Sequence, residues 1–108
     1  MRLAELAALL SSISGFSGRV AYESFPEGEY PGLPVIRFMQ TGSNIFAAEN
    51  RVYYSSPIVS VELFTQIKSP ETEAALESAL ASAELIWTKD EDYLDSERCY
   101  MITYTVTF

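Results

Sequence analysis

The stretch from Pro57 to Leu85 constrains the fold most, because its hydrophobic period changes along its length. From Ile58 the chain reads Ile-Val-Ser-Val-Glu-Leu-Phe-Thr. Val59, Val61 and Leu63 fall on one face, with Ser60 and Glu62 on the other, as in a half-buried strand. Ser69-Pro70-Glu71 then reads as a helix start. Serine can cap the first free N–H groups, and proline at the first helical position loses no bond. Glu71 and Glu73 sit at the positive end of the helix dipole. Ala75, Leu76, Ala79, Leu80 and Ala83 make an apolar stripe, with Glu77 and Ser78 off it. Such a helix must lay its stripe across a sheet, and the strand before it is the first candidate.

Helical spacing also marks the start of the chain, where Leu3, Leu6, Leu10 and Ile13 form a seam that Gly15 ends. The acidic residue within Met1 to Leu6 interrupts any signal-peptide-like apolar run, so this segment is expected to be a helix rather than a leader. Arg19 to Glu23 reads as a short strand with Val20 and Tyr22 on one face. Phe25 to Pro34 holds three prolines and two glycines, which excludes regular structure. It either positions the next strand or serves as a binding loop. Val35 to Thr41 is a strand with Ile36 and Phe38 on one face. Thr41 to Asn44 is a turn cluster. Ile45 to Tyr54 is an irregular strand or a strand pair.

After the second helix, Leu85 to Asp90 is a strand, and Asp90 to Glu97 an acidic turn. The last strand, Arg98 to Phe108, alternates Tyr100, Ile102, Tyr104, Val106 and Phe108 with Cys99, Met101 and three threonines. It is expected to pair antiparallel with the strand before it. The predicted fold is α+β: a single domain over 1–108 with one mostly antiparallel mixed sheet and two helices packed on one face.

Composition narrows the chemistry. The 108 residues carry no histidine, one cysteine and a net charge of −8. Without histidine the commonest base near neutral pH and the commonest metal ligand are missing. Zinc and an intramolecular disulfide are excluded for a single cysteine, Cys99. Neither GxGxxG nor GxxxxGK[ST] occurs. No cofactor, metal or catalytic residue is expected. The acidic balance disfavours binding to phosphate backbones. No apolar run approaches the roughly 20 residues of a membrane span. A cytosolic setting is the default expectation. Asp90, Asp92, Asp95 and Glu97 could act as acid–base pairs or hold a cation. However, the calcium-loop pattern fails at Leu94 and Asp95, and a solvated tip explains the cluster better.

Several ordered stretches resemble a family of small tailed-phage and prophage proteins, the tail terminator or tail-completion (head–tail joining) proteins of long-tailed phages. These are Phe25-Pro-Glu-Gly-Glu, Leu33-Pro-Val-Ile, Thr41-Gly-Ser-Asn-Ile-Phe-Ala-Ala-Glu-Asn-Arg-Val-Tyr, Val61-Glu-Leu-Phe-Thr, Lys68-Ser-Pro-Glu and Tyr93-Leu-Asp-Ser-Glu. They span nearly the whole chain. The family pattern has Asp where this chain has Glu49 and Ser69. The resemblance implies a non-enzymatic virion protein that forms a ring, commonly a hexamer, capping the tail tube. Its partners would be itself, the major tail tube protein and the head–tail connector protein. It would assemble in the bacterial host cytoplasm and reside in the virion tail or neck. A ring needs two different patches in contact. Asn44, Phe46, Asn50, Tyr53 and Tyr54 are the expected interface residues, for their mix of Asn and aromatics. The alternatives are an acidic DNA-mimic inhibitor, or a ligand-binding or enzymatic domain using the Asp90–Glu97 carboxylates.

Overall fold

A computed structural model of the chain describes residues 1–48 and 51–108, with side chains described outside 45–55. The elements run α1 (Leu3–Ser11), β1 (Val20–Tyr22), β2 (Val35–Ala48), β3 (Arg51–Thr65), α2 (Pro70–Ser82), β4 (Trp87–Leu94) and β5 (Cys99–Thr107). The strands form one five-stranded sheet in the order β1-β2-β3-β5-β4. Only β1–β2 is parallel, with Val20 opposite Ile36; the other three pairings are antiparallel. This is the expected α+β architecture.

Alternation along the strands places the core. Ile36 and Phe38 of β2, Val59, Val61 and Leu63 of β3, and Ile102, Tyr104 and Val106 of β5 are buried on one face. Leu6 and Leu10 of α1 and Leu76 and Leu80 of α2 close over the same cluster, so both helices cover one face. Each such apolar side chain contributes about 1.5–3 kcal/mol by leaving water.

Helix α2 starts as its sequence requires. Ser69 Oγ accepts a hydrogen bond from Thr72 N at 3.3 Å, and Pro70 occupies the first turn. After α1 the chain turns through Ile13, and Phe16 N donates to Ile13 O at 2.9 Å. Gly15 has φ +89 there, with open space around it. Its role is therefore conformational, since a side chain would strain the left-handed backbone.

Three expectations need correction. The stripe of α2 faces the core as expected at Leu76, Ala79, Leu80 and Ala83, but Ala75 is exposed and Glu73 is buried in its place. Glu73 stands in the first turn as expected, and Lys68 and Lys89 also pair with it there. Thr41 to Asn44 is not a turn but part of β2, with a register shift between Gln40 and Gly42. The turn-prone residues there are accommodated at a bulge, which adds one residue and increases twist. Asp90 to Leu94 belongs to β4, and only the residues after it turn toward β5. β4 lies at the sheet edge, where strands commonly carry charge that discourages further pairing.

Candidate assembly surfaces

Strands β2 and β3 are much longer than their neighbours. β5 pairs with β3 only over Ile58–Thr65, and β1 pairs with β2 only over Ile36–Phe38. Beyond those limits β2 and β3 pair with each other alone, from Ser43↔Pro57 through Asn44↔Ser56 and Phe46↔Tyr54 to Ala48↔Arg51. The result is a two-stranded arm about 20 Å long at the usual strand rise.

The base of the arm is closed on both sides. Gln40 N donates to Tyr22 Oη at 3.2 Å where β1 stops. Phe108 N donates to Pro57 O at 3.2 Å where β5 stops. Outside that base, the outer edges of the arm have no strand beside them among the described residues. A two-stranded hairpin is marginal by itself in water, and open edges are templates for pairing.

Four of the five expected interface residues fall on this arm. Asn44 is exposed in β2 opposite Ser56. Phe46 and Tyr54 are opposite one another along the backbone. A register shift between Phe46 and Ala47 leaves Tyr53 as the extra residue of a bulge. The side chains of Phe46, Tyr53 and Tyr54 lie outside the described residues, as does Asn50 altogether.

A second surface lies at the opposite end of the strands, on the face the helices leave uncovered. The Pro-rich loop after β1 curls beneath this face and is held there by Arg19. Its Nη1 donates to Gly32 O at 2.9 Å and to Pro34 O at 3.3 Å. Phe25 and Tyr30 of the loop meet edge to face, with centroids 5.8 Å apart. With Leu33, Phe64, Cys99 and Met101 they line a groove of about 640 Å³. Arg37 borders it, donating from Nε to Glu62 Oε1 at 2.7 Å, with its guanidinium 5.6 Å from the Phe64 ring centre. Burial pushes the Cys99 thiol above its ordinary range, and the nearby Glu97 charge adds to this. Such a thiol reacts slowly.

A charged network fastens α2 to the edge of the sheet. Lys89 Nζ lies 2.9 Å from Glu73 Oε1 and 2.7 Å from Glu77 Oε2. Lys68 Nζ lies 2.7 Å from Glu73 Oε2 and also pairs with Glu91. Tyr104 Oη donates to Glu77 Oε2 at 2.7 Å. Burial by itself would raise the Glu73 carboxyl, but the two ammonium groups outweigh it and hold the carboxyl low. Glu77 is likewise lowered, chiefly by Lys89. Burial and the Glu77 carboxylate push the Tyr104 phenol far up. Each carboxylate is paired with a lysine ammonium, so the network staples α2 to the edge of the sheet.

The carboxylates singled out in the sequence do not converge. Asp90 and Asp92 stand on exposed β4, opposite Thr103 and Met101, and Asp95 and Glu97 are exposed beyond it. Among the described residues, no group of three or more His, Cys, Asp or Glu side chains is placed to hold a metal ion. No described helix is long and apolar enough to cross a membrane. The groove and the staple were not legible in the sequence. Phe25 and Tyr30 in a Pro-rich loop, and Lys89 on the inward side of an otherwise acidic strand, were their only signals.

A solved structure shares this architecture. The likeness is one of fold. The match is to a chain in the virion of a native gene transfer agent particle, with TM-score 0.53 and 14% identity. It covers 96% of this chain and 82% of that one. At this identity the likeness establishes the fold. No protein-family model and no curated protein matches the chain.

Proposed function

We propose that this protein is a structural subunit of a phage-type virion, acting as a tail terminator or tail-completion protein. It assembles into a ring, a hexamer in the form the sequence resemblance implies, that caps the tail tube and meets the head–tail connector. Its role is to present surfaces, not to turn over a substrate. The observation that carries this reading is the arm: a two-stranded extension with no sheet neighbour among the described residues, on a fold shared with a virion chain. The ordered sequence resemblance to tail terminators supports the more specific assignment.

The arm, with Asn44, Phe46, Asn50, Tyr53 and Tyr54, supplies part of the contact between subunits. Light scattering of the purified chain should give a mass several times 12.1 kDa. The double substitution Phe46→Ser/Tyr53→Ser should give a folded monomer. Co-expression with a phage major tail tube protein should yield tubes capped at one end in electron micrographs. Tubes that never bind the chain would remove the tail assignment. Replacing Asp90, Asp92, Asp95 and Glu97 with their amides should leave capping intact.

A further inference from the structure

We infer that the apolar groove under the Pro-rich loop is the seat for the hairpin arm of a second copy of this chain, so that subunits join head to tail. The inference deepens the ring reading above and rests on its self-assembly component.

Geometry excludes the simplest alternative, an arm folded back on its own groove. The groove is built around the Val35↔Phe64 end of the β2–β3 ladder, and the arm ends at Ala48↔Arg51. Thirteen steps along β2 separate them, about 43 Å at the ordinary strand rise. Each copy therefore offers a donor at one pole and an acceptor at the other. Two different patches in repeated contact are what a closed ring requires, whereas an isologous dimer would pair like with like.

Charge selects the arm as the occupant. The net charge is −8, but residues 38–61 contain only Glu49 and Arg51, one of each sign. The remainder of the chain therefore carries the whole excess. The groove's border includes Glu23 and Glu97, while Arg37 is already tied to Glu62. A second copy approaching by any acidic face would be repelled there. The arm is neutral, with Glu49 and Arg51 offsetting each other at its tip, so it meets no net repulsion from those carboxylates. The groove itself is lined mainly by Phe25, Tyr30, Leu33, Phe64 and Met101, which suits the Ile45, Phe46, Val52 and Tyr54 content of the arm. A small polar ligand would need several convergent polar groups instead.

Complementation between two variants tests the arrangement. Tyr30→Asp alters an exposed loop residue, and Met101→Glu alters the floor, so two independent groove variants guard against misfolding. Each groove variant and the arm variant Phe46→Ser/Tyr53→Ser should purify as a monomer with an unchanged unfolding midpoint. Mixing a groove variant with the arm variant should give a particle of twice the 12.1 kDa subunit mass and nothing larger. In that pair one intact arm meets one intact groove, and no further contact remains. A mixture that stays monomeric, or a Tyr30→Asp variant that assembles like wild type, overturns the inference. So does a wild-type chain that is monomeric at every accessible concentration. Tube capping, measured separately, still decides whether the protein belongs to a tail.

Discussion

Glu73 is 3% exposed and ionised, held between Lys68 and Lys89 at the first turn of α2. Removing its charge would leave two lysines facing each other, though both can swing into water. Glu73→Gln should therefore destabilise the fold by about 1–3 kcal/mol, less than for a pair buried on both sides. Urea unfolding would measure it. The pH dependence follows from the depressed carboxyls of Glu73 and Glu77. Their contribution is complete above the ordinary value of 4.5 and is lost as pH falls through their lower folded values. Lys68 and Lys89 are raised above 10.5, so their contribution is complete below that and lost as pH rises further. Thermal midpoints should hold between these limits and decline outside them. Glu73→Gln should flatten the acid side. Cys99, buried and with a raised thiol, should react with a thiol reagent only slowly until the chain is unfolded.

At the scale of elements, local signals and tertiary packing carry different weights. The Ser69 cap and Pro70 define where α2 begins, and Ser69→Ala should cost about 0.5–2 kcal/mol. Leu80 is fully buried between helix and sheet, so Leu80→Ala should cost about 2–5 kcal/mol. The arm is a different kind of element, because among the described residues its ladder joins β2 to β3 and to no other strand. Replacing residues 46–54 with a two-residue Asn-Gly turn closed by the Ile45↔Ser55 pair, a sequence suited to tight hairpins, should leave the unfolding midpoint nearly unchanged. The same change should abolish assembly, as read by light scattering. Loss of folding would mean that the arm stabilises its own subunit.

At the scale of the molecule, an excess charge of −8 opposes the gathering of several copies. Screening shortens that repulsion to about 8 Å at physiological ionic strength. Assembly should therefore strengthen from low salt to moderate salt in sedimentation experiments. Ion pairing between Arg51 and the groove's carboxylates would weaken over the same range. Net strengthening is expected because the arm is neutral overall and the contact is mainly apolar. A decline with salt would point to charge pairing as the principal contact.

Much of this was legible in one dimension. Val59, Val61, Leu63, Ile102, Tyr104 and Val106 announced a sheet with one buried face, and the leucine seams of both helices announced what covers it. Periodicity reports which side of a local element is apolar, and that is a short-range property. The turn chemistry of Thr41 to Asn44 was real but was absorbed by a bulge, because pairing with β3 outweighed local preference. The carboxylates of Asp90 and Asp92 suited a turn equally well, and only the position of β4 at the edge made a charged strand tolerable. Glu73, Lys68 and Lys89 could not be matched before α2 and β4 were placed side by side, since the pairs span up to 16 positions of sequence. Strand order likewise decided that the Pro-rich loop and the hairpin arm stand at opposite poles, because pairing between distant segments leaves no trace in the spacing of their residues.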